Sequence, residues 1–354
     1  MNDCCLKMAD EYFYSHYPLE SFQREDFLVT HLLEISKRWG DLLSSSAEEF
    51  YIRSTSSPTL GIDAETGILE CPTCGTKIRA VIIGARLFYF VWRVGMICAT
   101  FWDTTERGVD RSILGRKSPD WPLEEHLQQL HIAVEMYFGT GAFLGTQGLE
   151  ELNRQIFDLP KSAATAYFAI VDFAELWVLF HELQHHMQFS GSSAIAAGLQ
   201  EELPITEKRA KNWSAELTHD ADSLKVLIVS ASSVLHESNG LSLEAAKIQA
   251  GVLACAGADA ALHTIQLLEE LKVGFVGAPA AATSGAFVRH PPSGYRRNAL
   301  SNAGFSLLTG KSIESLLQGD VPESWRTVAQ SVAGTMRVRD MLFERFHAWP
   351  KRKA

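Results

Sequence analysis

The run from Ala163 to Phe180 is almost wholly apolar, contains no Pro or Gly, and leads directly into His181-Glu182-Leu183-Gln184-His185. A stretch of that length without breakers predicts a long, largely buried helix. Residues four apart on a helix lie about 40° apart around its axis, so His181 and His185 share a face. Two imidazoles so placed can bind one metal ion, while Glu182 beside them can accept a proton from a water on that ion. Ser190-Gly191-Ser192 supplies a stop signal of the kind found at helix C-termini. The competing reading is two histidines satisfied by hydrogen bonds in a core.

A second segment bears on that choice. A metal site that works on substrate needs a third protein ligand and an open position. Beyond a loop from Gly191 to Pro204, a second helix is predicted from about Thr206 to His236, containing Glu216-Leu217-Thr218-His219-Asp220. Thirty residues lie between His185 and Glu216, enough for one helix to end and another to return beside it. Glu216 and Asp220 share a face; Glu216 is the natural third ligand, and Asp220 can accept the N–H of a ligand histidine. His219 and Asp222 lie beside the pair, and either His219 or Asp220 can take the place of Glu216. His186 points about 100° away from His185 and reads as a packing residue or one supporting a ligand, not as a ligand. The bland alternative for the acids is a solvated helix surface.

The third segment is His290-Pro291-Pro292-Ser293-Gly294-Tyr295-Arg296, an extended, rigid lead into a helix starting near Tyr295. A histidine followed by two prolines has few backbone conformations, which suits a group placed near a reacting centre. Arg296 can pair with a carboxylate near the site or hold the loop. Alone, the segment would read as a surface turn.

The order HELQH, ELTHD, HPPSGYR resembles the gluzincin-type zinc metallopeptidases, and is most similar to the family of the CAAX prenyl endopeptidases and HtpX heat-shock proteases. The resemblance spans roughly residues 163 to 305. It implies a zincin-like metallopeptidase core, Zn²⁺ as cofactor, and a protein or peptide substrate. It further implies His181, His185 and Glu216 as metal ligands, Glu182 as general base, Asp220 as the acid behind a ligand, and His290 and Arg296 closing over the site. The ending Asp220-Ala221-Asp222 is offset from the family pattern, so the third ligand stays open among Glu216, His219 and Asp220.

Elsewhere the chain of 354 residues, 46% hydrophobic and 21% charged, predicts an ordinary folded protein. Its fold class is α+β, predominantly α, divided into residues 1–120 and a mainly helical metallopeptidase domain over 121–354. A net charge of −10 argues against general nucleic-acid binding. No apolar signal core opens the chain. The greasy runs Leu87–Trp102 and Ala245–Leu268 are broken by Arg93, or by Lys247, Gln249 and Asp259, so no membrane span is expected. Six cysteines without a secretion signal suggest reduced thiols and a cytoplasmic location.

A helix is expected over Glu20–Ser46, then a small sheet of hairpins from Phe50–Ile52, Gly67–Leu69, Ile78–Ile83 and Leu87–Val91, whose edge would align an extended peptide. Further helices are expected over Glu124–Tyr137, over Leu241–Val273 with Ser242 as cap, and over Pro322–His347. Gly274–Gly285 reads as a connector acting as a lid for His290. Cys71-Pro72-Thr73-Cys74-Gly75 is half of a zinc knuckle, which Cys4 or Cys5 can complete. A free cysteine from this region masking the catalytic zinc is a further expectation.

Three readings compete. One is a zinc endopeptidase. The second is a noncatalytic, zinc-stabilised interaction protein. The third is a regulator whose N-terminal region senses a signal and licenses cleavage of one protein.

Overall fold

Twelve elements are set out in a computed structural model that describes residues 2–17, 25–55, 63–106, 123–140, 152, 154–159, 161–186, 206–276 and 290–309. Helices α1 (Asp3–His16), α2 (Glu25–Arg38) and α3 (Asp41–Glu48) precede strands β1 (Tyr51–Thr55), β2 (Ala64–Glu70) and β3 (Lys77–Gly84). Then come α4 (Ala85–Glu106), α5 (Leu123–Thr140), α6 (Lys161–Gln184), α7 (Glu207–Asn239), α8 (Leu243–Val276) and α9 (Ser293–Thr309). The class is α+β and predominantly α, as the sequence predicts.

The sheet has the order β1-β3-β2. Strands β2 and β3 form an antiparallel hairpin closed at Glu70↔Lys77, whereas β1 runs parallel to β3, with Tyr51 opposite Ala80. The expected sheet of hairpins is therefore correct for one pair only. The expected strand at Leu87–Val91 is helical, forming the first turns of α4. That run is apolar on consecutive residues, which suits burial on all sides of a helix as well as a strand, and packing decides. Phe88 and Val91 face one core cluster while Tyr89 and Phe90 face another. Arg93, which interrupts the run, is buried on α4 and donates to Tyr89 Oη (3.0 Å) and Gln155 Oε1 (2.6 Å).

The helix expected over Glu20–Ser46 is two helices. Gly40 breaks it at φ 127°, and a side chain there would collide with Ser230, whose hydroxyl donates to Trp39 O (2.8 Å). Only glycine fits this corner, where backbone conformation and the close approach of α7 coincide.

The largest core cluster joins α2, β1, β3, α4, α6, α7, α8 and Leu300 of α9. A second links α4, α5, α6 and α8; a third seats α1 on the sheet. Helix α6 is apolar all round, with Phe173, Leu176, Trp177 and Leu179 almost fully buried, so it forms the axis on which the others pack. Gly257 lets α8 approach α6 closely: a Cβ there would stand 2.6 Å from the backbone N of Ala174. The expected domain boundary at 120/121 lies outside the described residues, and the largest cluster draws residues from both sides of it.

Two helical windows, Ala163–Gln184 and Leu243–Leu271, are long and apolar enough to cross a membrane by length and composition. The sequence expectation had discounted the second. Lys247 and Gln249 lie on its exposed face, and Asp259 accepts from Arg297 Nε (2.8 Å). In this fold 72% of each window is buried. The expected helix over Pro322–His347 and residues 277–285 of the expected connector lie outside the described residues; Gly274 to Val276 continue α8.

Candidate metal centre

Helix α6 delivers the first donors through its C-terminal turn. His181 lies inside the helix, which ends at Gln184. His185 and His186 continue in a tighter turn, their amides donating to Glu182 O (3.3 Å) and Leu183 O (3.1 Å). The stop signal at Ser190–Ser192 lies outside the described residues. The rings of His181 and His185 stand 5.1 Å apart, on one face as their spacing requires. His186 turns away, its Nε2 2.9 Å from Ala80 O on the central strand and its ring against Phe50. It ties the end of α6 to the sheet, which bears out its reading as a packing residue.

Helix α7 brings the acids. Thr206 caps its start, accepting from Arg209 N (3.3 Å), and Gly240 ends it at φ 64°, as side-chain capping and a left-handed terminus should. Glu216 and Asp220 are buried on the face toward α6. His181 Nε2 lies 3.4 Å from Glu216 Oε2, and His185 Nε2 lies 3.6 Å from Glu216 Oε1. His181 Nδ1 is bonded to Asp220 Oδ1 at 2.8 Å. One donor atom each from His181, His185 and Glu216 fits within a span of 4.8 Å.

The geometry separates the candidates for third donor. Asp220 is spent on the far nitrogen of His181 and on Arg296. His219 packs its ring 4.5 Å from that of His185 and 6.0 Å from that of His181, beside the trio. Asp222, half-buried, is absent from it too.

Helix α9 and the segment before it close the site from a third side. His290 Nδ1 bonds Glu216 Oε2 at 2.7 Å. Arg296 makes a two-pronged contact with Asp220, Nη2 to Oδ1 at 2.6 Å and Nε to Oδ2 at 2.8 Å. Its guanidinium lies over the Trp177 ring, 5.6 Å from the centroid. It is buried and meets the centre both through Asp220 and by Nη2, 3.4 Å from His181 Nδ1.

The electrostatics are those of a nest for a cation. Burial works to raise the Glu216 carboxyl, but hydrogen bonds from His181 and His290 hold it far below the usual carboxylate range. Burial likewise opposes ionisation of Asp220, yet the Arg296 charge holds it at about 2. Burial would lower His181; the Asp220 charge and bonds to both acids overcome this and raise it to about 9. His185 is pushed down to about 3 by burial and the neighbouring His181, leaving its ring neutral with a lone pair to give. Burial raises Glu182, and the Glu216 charge adds to this.

The donor set suits a divalent metal: two ligands about 2.1 Å from a tetrahedral ion stand roughly 3.4 Å apart, and His181 Nε2 and His185 Nε2 lie 3.4 and 3.6 Å from different oxygens of Glu216. His181 Nε2 faces Glu216, and a metal bound there would displace any proton that this nitrogen carries.

The sequence reading overlooked Asp172 and Glu175, the two acids inside the apolar run of α6. Asp172 accepts from Arg38 (2.8 Å) and Trp39 (3.0 Å), and Glu175 from Trp92 (2.5 Å) and His31 (2.9 Å). With His31 they form a third group close enough to hold an ion, but side-chain donors already engage Asp172 Oδ2 and both oxygens of Glu175. Their signal was the placement of two charges in an otherwise apolar segment. Cys71 and Cys74 sit on the turn of the β2–β3 hairpin beside Cys4 and Cys5.

Comparison with protein-family models, curated proteins and solved structures finds no match to this chain.

Proposed function

We propose that this chain is a zinc-dependent endopeptidase with a zincin-like core, and that it acts on a specific protein, in keeping with a regulatory protease in the cytoplasm. One observation carries the reading. His181, His185 and Glu216, from the end of α6 and from α7, bring one donor atom each within 4.8 Å of one another, with Glu182 one residue from the first ligand. This is the two-histidine, one-glutamate set of catalytic zinc, which leaves a position for water or substrate.

His181, His185 and Glu216 would hold the ion. When bound, zinc lowers the pKa of water toward neutrality and polarises a carbonyl. The protein does the rest. Asp220 fixes the Nδ1–H tautomer of His181, so that Nε2 faces Glu216, and Arg296 fixes Asp220. Glu182, raised by burial, takes the proton of the attacking water and passes it to the leaving amine, the task for which a carboxyl nearer neutrality is suited. His290 orients Glu216 through Oε2. Its side chain is 35% exposed, which leaves it within reach of a substrate's developing oxyanion.

The rival is a zinc-stabilised interaction protein, in which the ion only joins α6 to α7. Glu182→Gln separates the two. The proposal expects the variant to keep its zinc in metal analysis and its melting temperature, and to lose turnover by at least about 10²-fold. Turnover is read by identifying new N-termini in a cell extract treated with parent or variant. If the parent generates no new N-termini, or the variant generates the same ones at the same rate, the protease reading is wrong.

A further inference from the structure

Far from this centre in sequence, a second set of donors meets. The β2–β3 hairpin turns over Cys71–Thr76, where the Cys71 amide donates to Thr76 O (2.9 Å) and the Gly75 amide to Cys71 O (2.7 Å). Gly75 adopts φ 70°, the left-handed conformation such a turn demands. The turn brings Cys71 and Cys74 to one side. The first turn of α1 delivers Cys4 and Cys5 opposite them, 70 residues away in sequence. Cys74 Sγ lies 3.6 Å from Cys4 Sγ and 3.4 Å from Cys5 Sγ, and all four sulfurs lie within 4.8 Å of one another.

We propose that Cys4, Cys5, Cys71 and Cys74 bind a second zinc ion, a structural one that pins α1 to the hairpin. Four sulfurs about 2.3 Å from one tetrahedral ion stand roughly 3.8 Å apart, close to the two spacings at Cys74. Disulfide-bonded sulfurs would lie about 2.05 Å apart, and all four cysteines are free. A polynuclear iron–sulfur cluster seats its cysteines on different irons, spreading the sulfurs wider than a shared ion does.

The location gives the ion a task. Helix α1 rests on the sheet through a small cluster of Cys5, Ala9, Phe13 and Tyr17 against Tyr51, Cys71, Ile78, Ala80 and Ile82, aided by Tyr17 donating to Glu65 and Tyr51 to Asp10. A patch of that size is a weak anchor for a helix. A metal bridge between its first turn and the hairpin supplies the rest. The sheet so braced is the one whose strand β3 receives His186, next to the ligand His185.

The proposal stands apart from the protease reading. The full chain, purified under reducing conditions, should carry two zinc ions. His185→Ala should lose one and Cys74→Ser the other. With Co²⁺ in place of Zn²⁺, thiolate-to-cobalt charge-transfer absorption should persist in His185→Ala and vanish in Cys74→Ser. Cys74 is exposed, so the serine leaves the core intact, and circular dichroism checks this. A measurement on the unmutated chain guards against misfolding of the variant. Exposed Cys74 should be alkylated at least tenfold faster after chelation than before. One zinc in the parent with Cys74 alkylated at once, or a mass two daltons low from a disulfide among the four, would overturn the proposal.

Discussion

The buried pair Arg296–Asp220 offers the sharpest test of how the centre is built. Asp220 is 1% exposed and takes two bonds from Arg296 and one from His181. Arg296→Met keeps most of the side-chain volume over Trp177 but strands the carboxylate. Losing one partner of a buried pair costs about 3–5 kcal/mol, which at about 2 °C per kcal/mol lowers the melting temperature by roughly 6–10 °C. Linkage gives a smaller figure. An aspartate held at about 2 instead of 3.8 contributes about 2 kcal/mol to metal-free stability. The sign follows from the depressed value: that contribution is complete above pH 4 and is lost as pH falls toward 2. Truncation exceeds linkage because it also leaves the buried carboxylate with a bond from His181 in place of three. Adding Asp220→Asn to Arg296→Met should therefore recover stability, while Asp220→Asn alone should weaken zinc binding about 10–100-fold by freeing His181. Chemical denaturation of the four proteins, with zinc affinity from chelator competition, measures both. Stability of Arg296→Met within about 0.5 kcal/mol of the parent, or strict additivity in the double variant, would refute the coupling.

Three further outcomes are expected. His126 is buried on α5 with neither ring nitrogen hydrogen-bonded, and burial, aided by the Arg93 charge, pushes it down to about 4. Because the unfolded chain binds that proton first, stability should fall by up to roughly 3 kcal/mol as pH drops from 6.5 to 4. His126→Leu should flatten this limb in denaturant titrations across pH; an unchanged limb would clear His126 of the effect. Gly257→Ala forces a methyl onto the α6 backbone and should cost about 3 kcal/mol, the upper end of overpacking, read by thermal unfolding. Zinc at a thousandfold excess over its Kd should stabilise the metal-free chain by about 4 kcal/mol at the histidine centre. His185→Ala should abolish that increment, checked by melting temperature against free zinc in the Cys74→Ser background.

What the sequence revealed follows the range of each signal. Helices α6 and α7 were legible from local signals: an almost wholly apolar run without Pro or Gly for one, and for the other the stretch from about Thr206 to His236, which the structure extends to Asn239. The third donor was not, since Glu216, His219 and Asp220 share one helical face, and only the docking of α7 on α6 aims Glu216 at both histidines. The strand expected at Leu87–Val91 failed for a related reason. An aromatic, apolar pentapeptide satisfies a strand or a fully buried helix equally well, and it is the surrounding helices that bury all its sides. The parallel pairing of β1 with β3 was hidden because the hairpin signal concerns neighbours in sequence. Cys4 or Cys5 was expected to complete the Cys71–Cys74 half-knuckle; that both lie beside it depends on α1 resting on the sheet.

The two donor sets also differ in a way that bears on which one works on substrate. Four cysteines at the hairpin would complete a tetrahedron from the protein alone, leaving no position for water, and soft sulfur suits an ion that stays put. At the histidine centre the described residues bring three donors together, and His290 beside them is engaged with Glu216 at 2.7 Å. The side chain of His185 is 22% exposed where that of His181 is 5%, so the centre is reached from the His185 side. Purely structural zinc has no use for an extra carboxyl beside its first ligand, nor for one raised toward neutrality by burial. Glu182 at that position is intelligible as the proton carrier of a hydrolytic site and has no evident part in holding α6 to α7, a task the packing of α6 on α7 in the main core already performs.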